Sequence, residues 1–115
     1  MDERLEKALE FGNYRATLNN QKKNVIARMQ TLQLVHYNNG SFAANPQTIS
    51  FVQSLISVGK TASVILDNKE NPIEIKDLSE FVELLVGAYT EGVNEYQVQM
   101  EKLKKSRNIK KIMDW

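Results

Sequence analysis

Apolar positions recur along this chain at helical steps at both ends and at strand-like steps between them. From residue 2 to about residue 37, Leu5, Ala8, Phe11, Leu18, Val25, Met29 and Leu32 are spaced by three, four or seven. That spacing places them on one face of a helix. Asp2, Glu3 and Glu6 fall in its first turn, where carboxylates complement the helix dipole. Gly12 and the run Asn19-Asn20-Gln21-Lys22-Lys23 leave the stripe thin in its middle. The pattern predicts a helix packed on one side, or a coiled-coil seam with polar interruptions. Asn38-Asn39-Gly40 supplies residues that tolerate the left-handed conformation of a helix end.

Ser41 to Ala44 reads as a short extended piece. Asn45-Pro46 opens a second helix, with Asn45 as its cap and Pro46 at the first helical position. Its apolar residues are Ile49, Phe51, Val52, Leu55 and Ile56, and Gly59 closes it. Ala62–Leu66 and Pro72–Ile75 then form a predicted hairpin around the turn cluster Asp67 to Asn71, with Ile73 and Ile75 on one face. Asp77 caps a last long helix, and Glu80 completes a capping-box variant. Leu78, Val82, Leu85, Tyr89, Val93, Tyr96, Met100 and Leu103 mark its stripe as far as about Arg107. Asn108 interrupts, and Ile109, Ile112, Met113 and Trp115 can form a final amphipathic turn.

The expected fold class is α+β and mostly α. Two long antiparallel helices flank a short helix and a β-hairpin, and the Phe42 segment is a candidate third strand. Leu18, Val25 and Met29 are expected to meet Leu85, Tyr89, Val93 and Tyr96. Residues 1–115 fit a single domain, with the long N-terminal helix at 1–37.

Composition narrows the function classes. Apolar residues make up 42% and charged residues 25%, as in an ordinary globular chain. No apolar run approaches the ~20 residues of a membrane span. The acidic start Met1-Asp2-Glu3-Arg4-Leu5-Glu6 does not read as a signal peptide. With no cysteine there is no thiolate nucleophile, thiolate metal site or disulfide, which suits a reducing cytoplasm. The net charge of +1 is unevenly spread: residues 1–40 carry +2, residues 41–100 carry −5 and residues 101–115 carry +4.

Candidate chemistry is sparse. Gly59-Lys60-Thr61 looks like the end of a phosphate loop, but Ser54 stands where a glycine is needed and a helix stands where a strand is needed. His36 is the lone histidine and has no convergent partners at useful spacing. Asp67, Glu70 and Glu74 cluster at the hairpin but lack the bend glycine of a calcium loop. No catalytic residue, cofactor, metal or small-molecule substrate is expected, and the chain does not read as an enzyme. The one charge run is Lys102, Lys104, Lys105, Arg107, Lys110 and Lys111. It reads first as a solvated helix end, then as a contact for an anionic partner, which is an acidic protein surface before nucleic acid. The N-terminal helix is too long for the rest of the chain to cover. Leu5, Leu9, Phe11 and Tyr14 are therefore a candidate self-association surface, with a two-fold dimer favoured.

One resemblance adds to this. Gly40 and Phe42 precede a helix that Gly59 ends. A strand follows, then the turn pair Asp67 and Asn71, the branched strand of Ile73 and Ile75, and a long helix with Tyr96 late in it and a basic tail. With these features residues 40–112 resemble a domain of unknown function found at the C-termini of many bacteriophage tail-fibre and tail proteins. That family often has Trp in the first hairpin strand, where this chain has Ile65 or Leu66. Here an N-terminal helix takes the place of a fibre. The resemblance implies a virion component or assembly factor of a large tailed phage, in the host cytoplasm or the particle, touching other phage proteins. It brings no catalytic residues. The competing expectations are a small regulator that binds a host or phage protein, and a nucleic-acid accessory protein using the basic tail.

Overall fold

The computed structural model describes residues 3–113, and the side chains of all of these except Phe11, Tyr14 and residues 106–113. The chain runs α1 (Glu3–Leu32), β1 (Leu34–Tyr37), β2 (Gly40–Ala43), α2 (Pro46–Ser57), β3 (Ser63–Leu66), β4 (Pro72–Ile75) and α3 (Leu78–Met113). The fold is α+β and mostly helical, as its apolar periodicities predict.

The first long helix ends five residues earlier than its stripe suggests. Leu34 to Tyr37 turn back and pair with Gly40 to Ala43 in an antiparallel hairpin, Val35 opposite Phe42 and Tyr37 opposite Gly40. Asn38 and Asn39 have φ values of 47° and 67°, the two left-handed central positions that make a tight hairpin turn match strand twist. The same Asn-Asn-Gly that reads as a helix stop therefore serves as a hairpin turn. The ladder extends one step further, where Ala44 N–H donates to the Gln33 carbonyl at 2.7 Å.

The second hairpin follows expectation, starting at Ser63 rather than Ala62. Ser63 pairs with Ile75 and Leu66 with Pro72. Pro72 occupies a position in the ladder where no donor is needed, since Asp67 N–H donates to Asn71 O and so fixes the alternation. Ile65, Ile73 and Ile75 point inward and are buried, while Val64 and Leu66 point outward. The Phe42 strand does not join this hairpin. The sheets are separate two-stranded ladders.

Both helix caps form as their residues require. Asn45 Oδ1 accepts from Thr48 N–H at 2.8 Å, and Asp77 Oδ1 accepts from Glu80 N–H at 3.1 Å. Gly59, at φ 91°, ends α2.

A head and an arm result. The head core comprises Val35, Phe42, Ala44, Val52, Ile65, Ile73, Ile75, Leu78, Phe81 and Leu85. Phe81 sits at its centre, with its ring edge-on to Phe42 at 4.9 Å and to Tyr37 at 5.2 Å. Both hairpins and α2 thus close over the first two turns of α3. Beyond the head, α1 and α3 run on together. Gln33 lies against Tyr89 and Gly92, and Arg28, further back along α1, reaches Glu95, further forward along α3. The two helices are therefore antiparallel.

Their seam differs in part from the expected one. Leu18, Val25 and Met29 are half-buried, as are Tyr89 and Tyr96. Leu85, however, belongs to the head core, a turn before α1 arrives. Val93 faces outward at 36% exposure, and Gly92 takes its place in the seam. A side chain at Gly92 would approach Gln33 Cγ to 2.5 Å, so only glycine lets Gln33 lie on the α3 backbone and donate from Nε2 to Tyr89 O at 3.2 Å. The molecule measures 68 × 24 × 21 Å with a radius of gyration of 20.9 Å. A compact chain of this length would have about 13 Å.

Candidate functional site

The hairpin turn shows what the acidic cluster does. Asp67 is buried, and its carboxylate accepts three backbone N–H groups: Lys69 and Asn71 at 2.9 Å on Oδ1, and Ser41 at 3.1 Å on Oδ2. Lys69 and Asn71 belong to the turn itself, whereas Ser41 belongs to β2. Asn68 reinforces the bridge, its N–H donating to Ser41 O at 2.8 Å and its Oδ1 accepting from Ala43 N–H at 3.3 Å. Asn38 Nδ2 donates to Glu74 O at 3.1 Å, so each hairpin tip holds the other hairpin. The hydrogen bond from Asn71, helped by those from Ser41 and Lys69 and by the Lys69 charge and opposed by desolvation, holds the Asp67 carboxyl below its ordinary value. Donors converge here, and the Asp67 carboxylate takes them all. Glu70, at φ 63°, and Glu74 are exposed.

The other motifs resolve just as locally. His36 is exposed on β1, with Nδ1 3.3 Å from Ser41 Oγ across the hairpin. Gly59-Lys60-Thr61 follows a helix, and Thr61 O accepts from Leu78 N–H. Among the described residues no three His, Cys, Asp or Glu side chains come together to hold a metal ion, and no helix is long and apolar enough to cross a membrane.

What distinguishes the surface is the arm. Leu5 and Leu9 are 51% and 50% exposed on α1. Phe11 and Tyr14, expected beside them, lie outside the described side chains. Lys102, Lys104 and Lys105 are exposed on α3; Arg107, Lys110 and Lys111 lie outside the described side chains. The arm, residues 3–32 and 92–113, carries twelve basic and five acidic residues, net +7. The head, residues 33–91, carries three basic and seven acidic residues, net −4. Sequence blocks alone divided this charge differently, because the fold sets the basic stretches of α1 beside those of α3.

A shallow trough of about 770 Å³ runs between α1 and α3 where arm meets head, lined by Arg28, Leu32, Gly87, Glu91, Asn94 and Val98 among others. A second, of about 620 Å³, lies between α2 and α3 over Ile49, Gln53, Val82, Glu83 and Val86. Gly87 lines both. These are open surfaces of the kind a helix or another protein lies against, in contrast to the enclosed pockets that bury small ligands. No family model, curated protein or solved structure matches the chain.

Proposed function

We propose that the protein is a non-enzymatic structural or assembly component of a tailed bacteriophage, working through protein–protein contacts and self-associating. The observation that carries the contact reading is the arm: two long helices that bury only the seam between them and leave leucines, valines and a strong positive charge outside. Two helices with outward apolar residues gain from a further partner, at about 1.5–3 kcal/mol for each large side chain fully buried. The phage context rests on the resemblance of residues 40–112, and it puts the protein in the host cytoplasm, the virion or both.

Mass spectrometry of purified particles and of their assembly intermediates tests this reading. The chain is expected at a fixed ratio to a known virion protein in one or the other. Absence from both would overturn the phage structural reading and favour a regulator that binds a host or phage protein. The charge of the arm also favours phosphate contact as a second reading. It predicts a mobility shift of duplex DNA that disappears as salt is raised.

A further inference from the structure

We infer that two copies of the chain pair through the outward face of α3, antiparallel and centred on Val98. This rests on the protein-contact reading above and adds to it the face and the partner. Every seventh residue of α3 from Leu84 to Lys105, namely Leu84, Glu91, Val98 and Lys105, lies on one side of the helix. That side lies off the seam of Tyr89, Gly92, Tyr96 and Leu103, and Glu91 and Val98 open onto the trough whose other wall is Arg28 and Leu32 of α1. Leu84 and Val98 are 45% and 46% exposed, and Glu91 and Lys105 are exposed as well.

Along the line from Leu84 to Lys105 the arrangement is complementary to itself when reversed, while Glu95 and Glu101, three residues either side of Val98, fall on opposite flanks of that line. Glu91 and Lys105 stand seven residues either side of Val98, and Asn94 and Lys102 stand four residues either side. A second α3 laid antiparallel about Val98 therefore sets valine on valine, each Glu91 against a Lys105, and each Asn94 against a Lys102. Two-fold symmetry makes the Glu91–Lys105 and Asn94–Lys102 pairs twice and the valine pair once, on the axis. A parallel pairing in the same register would set Glu91 on Glu91 and Lys105 on Lys105. The wider charge layout makes the same choice. In the antiparallel register residues 105–113 of each copy, at +4, lie along residues 83–91 of its partner's head, at −2, whereas parallel copies lay basic end on basic end. There is room for the second helix: the trough beside Glu91 and Val98 is open, and a side chain at Gly87 would meet nothing within 4 Å. The backbone of α3 continues to Met113, so positions 109 and 112 fall opposite 87 and 84 in this register.

Because the chain has no cysteine, Val98→Cys introduces a unique thiol at the two-fold axis. A disulfide needs its Cα atoms about 4.4–6.8 Å apart, which only residues near the axis satisfy. Mild oxidation is expected to convert Val98→Cys into a covalent dimer on a non-reducing gel, while Gln97→Cys, exposed but off the face, stays a monomer. In sedimentation equilibrium, Glu91→Lys and Lys105→Glu should each weaken the dimer about tenfold, and the double variant should restore it. All these positions are exposed, and an unchanged circular dichroism spectrum confirms the fold of each variant. A wild-type protein that stays at 13.2 kDa at high micromolar concentration overturns the inference. So does a dimer indifferent to both charge reversals, or one in which Gln97→Cys links as readily as Val98→Cys. A monomer would also remove self-association from the proposed function, but none of these results touches its phage context, which the particle measurement tests separately.

Discussion

Phe81 tests whether the head is one core or two hairpins leaning on a helix. It is fully buried, and its ring touches Tyr37 of β1 and Phe42 of β2 edge-on. Phe81→Ala removes the ring and leaves a cavity bounded by the first hairpin and the start of α3. Substitutions of this kind cost about 3–5 kcal/mol. At roughly 0.05–0.15 kcal/mol per residue, a chain of this size has about 6–17 kcal/mol of stability, so the variant folds but is weakened. With a urea slope near 1.5 kcal/mol per M, the midpoint should fall by about 2–3 M with the slope unchanged. Phe51→Ala is the internal control. Phe51 is 53% exposed on α2, and its loss should cost no more than about 0.5 kcal/mol. Phe81→Leu should fall between the two. Equal midpoints for Phe81→Ala and Phe51→Ala would mean that the first hairpin does not close on α3 and that the core has been wrongly drawn.

Other perturbations probe the joint between the hairpins. The Asp67 carboxyl titrates below its ordinary 3.8 when folded, so the native state binds fewer protons there than the unfolded chain. Its contribution is complete above 3.8 and is lost as pH falls through the lower folded value; Asp67→Ala should flatten that acid limb, and an unaltered limb in urea titrations at low pH would refute the bridge. Added calcium should leave the melting temperature unchanged, since the oxygens of Asp67 are already occupied by N–H donors; a calcium-dependent rise would overturn the reading of the turn as a structural corner. Gly40→Ala places a methyl 2.6 Å from Ile73 Cγ1 and 3.1 Å from Phe42, and should cost about 1–3 kcal/mol in a thermal melt. A neutral result there would mean that the hairpins separate easily. Asn39→Val forces a branched residue to φ 67° and should cost about 1–2 kcal/mol, whereas Asn39→Gly should be tolerated; equal melts would show that the tight turn is not what holds the first hairpin.

The second half of the chain was the more legible because its signals are local. Asn45 and Asp77 cap the helices they precede, and the alternation of Ile73 and Ile75 needs no partner to be read. The first hairpin was not legible. Leu34 and Val35 continue the apolar content of α1, and Asn38-Asn39-Gly40 suits a helix end as well as a tight turn. What decides is burial: Val35 and Phe42 fill the head core only when the chain reverses at Asn38. The bridge from Asp67 to Ser41 spans 26 residues, which no local pattern reports. The outward face of α3 escaped for another reason. A search for apolar stripes finds faces that fold inward, and Glu91, Val98 and Lys105 are mixed in character. They become a pattern only once α3 is known to continue past the head with that side uncovered.

The division into head and arm also has a consequence for how the molecule opens. An amide in the head is sealed by two hairpins and a helix locked around Phe81, and its exchange with solvent deuterium must wait for global unfolding. An amide in the arm is guarded by its own helix and one neighbour across a half-buried seam, so it exchanges through partial opening at lower free energy. The protection map of the lone chain should therefore fall off along α3 from Leu85 towards Lys105, a gradient within one unbroken helix. Whatever covers the arm should level that gradient, and the residues where protection rises first will lie at the centre of the contact.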